Sequence, residues 1–147
     1  MINLKIYMHT NHSLDSMLNT YKQVFNAQEI KKSICTQEKI DQGWYDQPML
    51  GKTTYANIKL FNSISIMFSR WTPKFNLPYG NNNSLIINFD KNTKLFNQIY
   101  DNMKASPAFK MQYSKDIWTS WGTQIAKFHD IFDNAWVLEL DTRKHNN

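Results

Sequence analysis

The 147-residue chain is poor in the residues that staple or punctuate a fold, with one cysteine, four prolines and four glycines. A lone Cys35 excludes an internal disulfide framework and suits a reducing, cytoplasmic setting. The glycines Gly43, Gly51, Gly80 and Gly122 are isolated, so no Gly-x-Ser-x-Gly elbow exists. Gly51-Lys52-Thr53 resembles the end of a phosphate-binding loop, but Asp46 stands where that loop needs its first glycine, and the TTYANIKLF that follows alternates like a strand. Nucleotide binding there is excluded. No apolar run approaches the ~20 residues that cross a bilayer, and the start, MINLKIYMHTNH, alternates too soon for a secretion signal. The expectation is an intracellular protein with no membrane partner.

Charge of one sign is also scarce. Seventeen Lys and Arg against twelve Asp and Glu leave +5, scattered singly, which permits weak attraction to polyanions without marking a nucleic-acid site. What is abundant is apolar and aromatic: 41% of residues are hydrophobic and 14% aromatic, enough to pack a core at this length.

That apolar content is patterned. After an opening strand, Leu14, Met17, Leu18, Tyr21, Val24 and Phe25 recur at spacings of three and four, predicting an amphipathic helix capped by Ser13 with Asp15 at its positive end. EIKKSICTQEK alternates loosely as a strand, and DQGWYDQPMLGK is a turn-rich connection. TTYANIKLF and SISIMFSRW form a strand pair around Asn62-Ser63, and TPKFNLPYGNNN is the strongest internal boundary. The order then recurs: SLIINF as a strand, DKNTKLFNQIYDNMKA as a helix capped by Asp90 or Asn92, and three further strands in FKMQYS, GTQIAKFHD and NAWVLELD.

WTSWGTQIAKFHDIFDNAW concentrates the candidates for chemistry. His129 beside Asp130 has the composition of a general base and its orienting carboxylate, yet neighbours on a strand point to opposite faces. The better reading gives Asp130 to the turn at Phe132 to Asn134, where Asp and Asn bond local amides. His9 and His12 are spaced for a shared metal but lack nearby partners to complete a site. Among the tryptophans, Trp136 reads as core and Trp71, beside Ser69 and Arg70, as a pocket residue.

Two strand-helix-strand-strand-strand units on one chain resemble the glyoxalase, bleomycin-resistance and dioxygenase fold of the vicinal oxygen chelate superfamily. LDSMLNTYKQVFNAQEI is similar to the first helix of its PhnB-like, 3-demethylubiquinone methyltransferase-like branch, with Tyr21 and Phe25 at matching positions. GKTTYANIKLFNSISIMFS resembles that branch's central hairpin. WGTQIAKFHDIFDNAW resembles its closing elements at Trp121, Gly122, Asp130, Phe132 and Trp136, while Ile125-Ala126 replaces an aromatic-Gly pair and Asp133 replaces a glycine. An Asp can take the left-handed backbone such a turn requires.

The resemblance implies an α+β chain of two βαβββ modules forming a cupped mixed sheet, in one domain over 1–147. Module 1 covers about 1–72, a linker about 73–82 and module 2 about 83–147. It implies a homodimer. Metal-dependent relatives draw ligands from the first and last strand of each half, positions that fall here on Ile6, Met67, Ser84 and Val137. None carries a ligand for a divalent metal, so neither a metal cofactor nor a catalytic residue is expected. A one-residue slip of register would present His9 or Glu139 instead. The reading is a metal-free binder of a small apolar or aromatic molecule, lined by Ile6, Met67, Ser69, Ser84 and Val137 with Trp71 and Trp121 near the mouth. The alternatives are a metal-dependent lyase or dioxygenase using displaced ligands from His9, His12, His129 or Glu139, and a weak nucleic-acid binder.

Overall fold

Two sheets of identical topology carry the chain. A computed structural model describes residues 5–74 and 84–143, and the chain divides into two compact units, Met1–Pro78 and Tyr79–Asn147. Most of the expected linker over 73–82 lies outside the described residues.

Unit 1 runs β1 (Ile6–Thr10), α1 (Leu14–Phe25), β2 (Gln28–Ile34), α2 (Gln37–Asp41), a 3-10 turn (Gln47–Met49), β3 (Thr53–Leu60) and β4 (Ile64–Arg70). Its sheet order is β1-β4-β3-β2, with β1 parallel to β4 and the other pairs antiparallel. Unit 2 runs β5 (Ser84–Asn88), α3 (Thr93–Ala105), β6 (Phe109–Trp118), β7 (Thr123–Asp130) and β8 (Ala135–Asp141). The order β5-β8-β7-β6 repeats the first sheet strand for strand. Both units are therefore βαβββ and the chain is α+β. The short α2 and the 3-10 turn are additions within a stretch expected to be strand and turn. β2 stops at Ile34 because Thr36 caps a new helix, its side chain accepting from Lys39 N.

Each long helix is built as its sequence predicts. Ser13 caps α1 by accepting from Ser16 N, and Leu14, Met17, Leu18, Tyr21, Val24 and Phe25 are all buried. Asn26 ends the helix in the left-handed conformation (φ 52°), which an Asn tolerates better than most residues. Asp15, at the N-terminal turn, accepts from Thr53 Oγ1 at 2.6 Å and ties the helix to the start of β3. Tyr21 then packs its ring on Phe68 of β4 at 5.8 Å. In α3 the cap is Asn92, accepting from Leu95 N, and Tyr100 meets Phe128 of β7 edge-on at 5.6 Å.

The β7–β8 turn shows why its polar residues are there. The buried Asp130 carboxylate accepts from Phe132 N (3.0 Å), Asn134 N (2.9 Å) and Trp136 Nε1 (2.9 Å). One side chain thus closes the turn and satisfies the indole of the fully buried Trp136. Asp133 has φ 66°, the left-handed backbone anticipated for the position. At the other hairpin end, Gly122 has φ 90°, and a Cβ there would come within 2.9 Å of Arg143 Cγ. The turn of the β3–β4 hairpin starts one residue earlier than predicted: Phe61 and Asn62 are both left-handed, at φ 54° and 59°. Phe61 is held there by its ring, which stands edge-on to Phe25 at 6.4 Å.

Asp130→Ala strands two buried amides and an indole N–H, and urea denaturation should show a loss of about 2–4 kcal/mol. Gly122→Ala combines a left-handed backbone with a close approach and should cost about 1–3 kcal/mol in the same measurement.

Candidate functional site

In each unit the helix occupies one face of the sheet, and strand alternation decides what the other face carries. In unit 1 the buried Ala56, Ile58, Leu60, Ile66 and Phe68 face α1. The intervening residues form rows on the opposite, open face. Tyr7, Met67 and Asn57 are register partners in one row, and His9, Ser69 and Tyr55 in the next. Tyr7 is 50% exposed, while Met67, Ser69, Tyr55 and Asn57 are half-buried.

Aromatic rings continue this face past β4. The Tyr7 and His9 rings lie 4.8 Å apart, and His9 meets Trp71 edge-on at 5.9 Å. Trp71 is positioned by its own backbone, whose N–H donates to Thr10 O at 2.6 Å. Tyr45 closes the β4 end: its hydroxyl donates to Arg70 O at 3.1 Å and its ring is buried. Burial pushes the Tyr45 phenol above its ordinary value, and the nearby Cys35 thiol and Tyr7 phenol push the same way. Its segment is anchored by Thr72 Oγ1, which donates to Trp44 O, and by Lys74 Nζ, 4.2 Å from the centre of the Trp44 ring.

Unit 2 has its own open face. Ile86, Val137 and Lys127 form one row, Asn88, Glu139 and Ile125 the next, and Ser84, Ala135 and His129 a third. Ile86 is 65% exposed. Glu139 is held in place, accepting from Asn88 Nδ2 at 2.7 Å and from Thr123 Oγ1 at 3.5 Å.

The residues expected to line a site divide accordingly. Met67, Ser69 and Trp71 come together in unit 1, and Ser84 and Val137 share the open face of unit 2. Ile6 does not join Met67: its partner is Ile66, which faces the helix, and Tyr7 takes the open-face position. Trp121 sits in the β6–β7 turn, 61% exposed. It adjoins Thr123, whose partner Asp141 is four residues beyond Val137, roughly 13 Å along the strand. Sequence reasoning missed Tyr7, Tyr45, Tyr55 and Asn57. Tyr55 and Asn57 follow from Met67 once the hairpin register is known, whereas Tyr7 needs the parallel β1–β4 pairing.

The displaced ligand candidates scatter. His9 lies on the open face of unit 1. His12 instead borders a cleft of about 410 Å³ beside the start of α1, with Ser13, Asp15, Met49, Lys52 and Arg70. His129 Nε2 pairs with Gln112 Oε1 at 2.7 Å. Glu139 shares its face with Val137, so no slip is needed to present it. It lies opposite Ile125, four residues along β7 from His129 and again roughly 13 Å away, too far for both to bind one ion. Among the described residues no three His, Cys, Asp or Glu side chains gather.

No protein-family model matches the chain, and no curated protein does. Solved structures match over nearly its whole length. A PhnB protein from Bacillus cereus is 12% identical with a TM-score of 0.64, covering 95% of this chain and 99% of its own. A glyoxylase/bleomycin resistance protein/dioxygenase domain from Frankia is 15% identical with a TM-score of 0.62, covering 99% and 96%. The chain has the vicinal oxygen chelate fold. A third structure with that fold, the fosfomycin resistance protein FosX from Listeria monocytogenes, holds Mn(II) and sulfate; it is 15% identical with a TM-score of 0.62, covering 97% and 93%. Such an ion is commonly held by three or more side-chain donors; among the described residues no such group of His, Cys, Asp or Glu gathers, His9 lying on the open face of unit 1 and Glu139 and His129 well apart on that of unit 2. No helix among the described residues is long and apolar enough to cross a membrane.

A phenol whose folded-state pKa is raised stabilises the fold fully below its unfolded value of 10.0 and loses that contribution as pH climbs through the folded value. Tyr45→Phe should therefore flatten the decline of stability above pH 10 in urea denaturation, while costing about 1 kcal/mol at neutral pH from the lost bond to Arg70 O.

Proposed function

We propose that this protein is a PhnB-like vicinal oxygen chelate protein that binds a small apolar or aromatic molecule without a metal. The observation that carries the reading is the open face of unit 1. Tyr7, Met67 and Tyr55 lie in adjoining rows, His9 and Trp71 extend the aromatic surface, and the Ser69 hydroxyl and the Asn57 carboxamide sit among them, with Ser65, Lys59 and Lys31 further out on the same face. Ligand sites combine a mainly apolar lining with a few fixed polar groups in this way. A half-exposed Tyr7 on a sheet face away from α1 offers flat contact area at low cost in side-chain entropy. Unit 2 offers Ser84, Ile86 and Val137 on its own open face as a surface of similar kind.

The same reading takes the two units as one domain over 1–147, the protein as a homodimer, and its compartment as the cytoplasm, where the buried Cys35 stays reduced. The reading assigns these residues to binding and gives none of them a catalytic role.

Titrating indole into isotope-labelled protein should move the amide signals of Tyr7, Met67, Ser69 and Trp71 together. Shifts confined to other regions would refute the site. Stoichiometric metal in the purified protein, lost in a His9→Ala variant, would overturn the metal-free reading in favour of a metal-dependent lyase or dioxygenase.

A further inference from the structure

Residues 36–50, between β2 and β3, are held differently from the rest of unit 1. Their ends are pinned together: Cys35 N donates to Lys52 O at 2.7 Å, and Gly51 N donates to Cys35 O at 2.9 Å. Above this neck the loop makes its own backbone bonds, from Gln42 N to Glu38 O, Trp44 N to Lys39 O and Leu50 N to Gln47 O. It has little core: neither α2 nor the 3-10 turn buries a side chain, and within 36–50 Tyr45 alone is buried. Compact surface loops with joined ends and few buried apolar contacts open at lower free energy than the sheet that carries them. Gly51, at the neck, has φ 77° and no atom within 4 Å of where a Cβ would stand, which leaves room at the pivot.

The tip of the loop fastens on either side of Trp71. The Tyr45 hydroxyl donates to Arg70 O at 3.1 Å, and Thr72 Oγ1 donates to Trp44 O. Lys74 adds a bond from Nζ to Gln42 O at 3.3 Å and lies over the Trp44 ring. Ser69 and Tyr7 both act on the buried Tyr45 phenol, so the fastening adjoins the open face. We propose that residues 36–50 are a hinged lid at the β4 end of that face, latched through Tyr45 and Trp44, whose closure fixes Trp71 for a bound molecule. This rests on the small-molecule reading above and adds to it how the site is controlled. With the latch made, the backbone on both sides of Trp71 is held; with it released, Trp71 keeps its bond to Thr10 O and loses both flanking restraints. A molecule packed on Tyr7, Ser69 and Trp71 therefore binds the closed form better and shifts the loop towards it.

Amide hydrogen exchange on the whole chain measures the opening. Once unlatched, α2 at 5 residues is too short to persist, so its bonds break with the latch. In the wild type the amides of Gln42, Gly43 and Trp44 should exchange at least about 10-fold faster than those of Ile58 in β3 and Phe68 in β4. Tyr45→Phe keeps the ring and deletes the bond to Arg70 O; it should speed loop exchange about 2- to 10-fold, the span of one neutral hydrogen bond. Indole at about ten times the dissociation constant read from its open-face shifts should slow loop exchange in the wild type about 3- to 10-fold. Loop amides that exchange no faster than Ile58 and Phe68 overturn the lid, as does loop exchange unchanged in Tyr45→Phe. The wild-type comparison with and without indole stands even if the variant folds poorly. Open-face shifts with no slowing of the loop overturn the lid and leave the small-molecule site intact. Absence of open-face shifts overturns the site itself and the lid with it.

Discussion

A single helix can cover one face of a four-stranded sheet and not both, and in this protein every other feature answers to that shortage of cover. Each unit spends its helix on the face where Phe68 or Phe128 waits for it, tied down in unit 1 by the Asp15–Thr53 bond. The other face must then be something water can wet or something else can occupy. In unit 1 that face mixes Tyr7, Met67 and Tyr55 with Ser69, Asn57 and His9, and with Ser65, Lys59 and Lys31 further out. A face of that mixed kind is the basis of the small-molecule site proposed above.

The same economy governs the turns. With four glycines in the chain, of which Gly43, Gly51 and Gly122 take positive φ, further left-handed positions fall to Asn26, Phe61, Asn62, Asp90 and Asp133. Asp133 follows a carboxylate, Asp130, that organises the turn from within, so the backbone is held by two amide hydrogen bonds instead of being freed by the absence of a side chain. Phe61 is held by packing on Phe25. Strain is tolerated where a neighbour is already fixed.

How far the sequence discloses this depends on the range of the interaction. The helices, their caps and the role of Asp130 were legible because they rest on contacts within a few residues. The duplicated βαβββ order was legible because alternation and turn residues mark each strand. Ile6 was misassigned because β1 is short and apolar at Ile6, Tyr7 and Met8 alike, so its own pattern does not say which side turns inward. Only its parallel pairing with β4, some sixty positions later, decides the matter. Trp121 was expected near a pocket mouth by its chemistry, and the hairpin puts it near the Thr123–Asp141 end of its sheet, away from Val137. α2 escaped notice because five residues are too few for an apolar period to show. Asn57 could be put on its face from the hairpin register, but its lack of a partner is a property of packing that no periodicity encodes.

The parallel edge pairs have a kinetic meaning as well. The β3–β4 hairpin closes over three residues and can form early, at little loop-closure cost. β1 must wait for it, since its partner strand lies at the opposite end of the unit and is reached only after α1, β2 and the segment carrying Tyr45 have been placed. The row that joins Tyr7 to Met67 and Asn57 is therefore among the last to be completed. A chain that has collapsed but not docked β1 lacks the Tyr7 and His9 positions of that face.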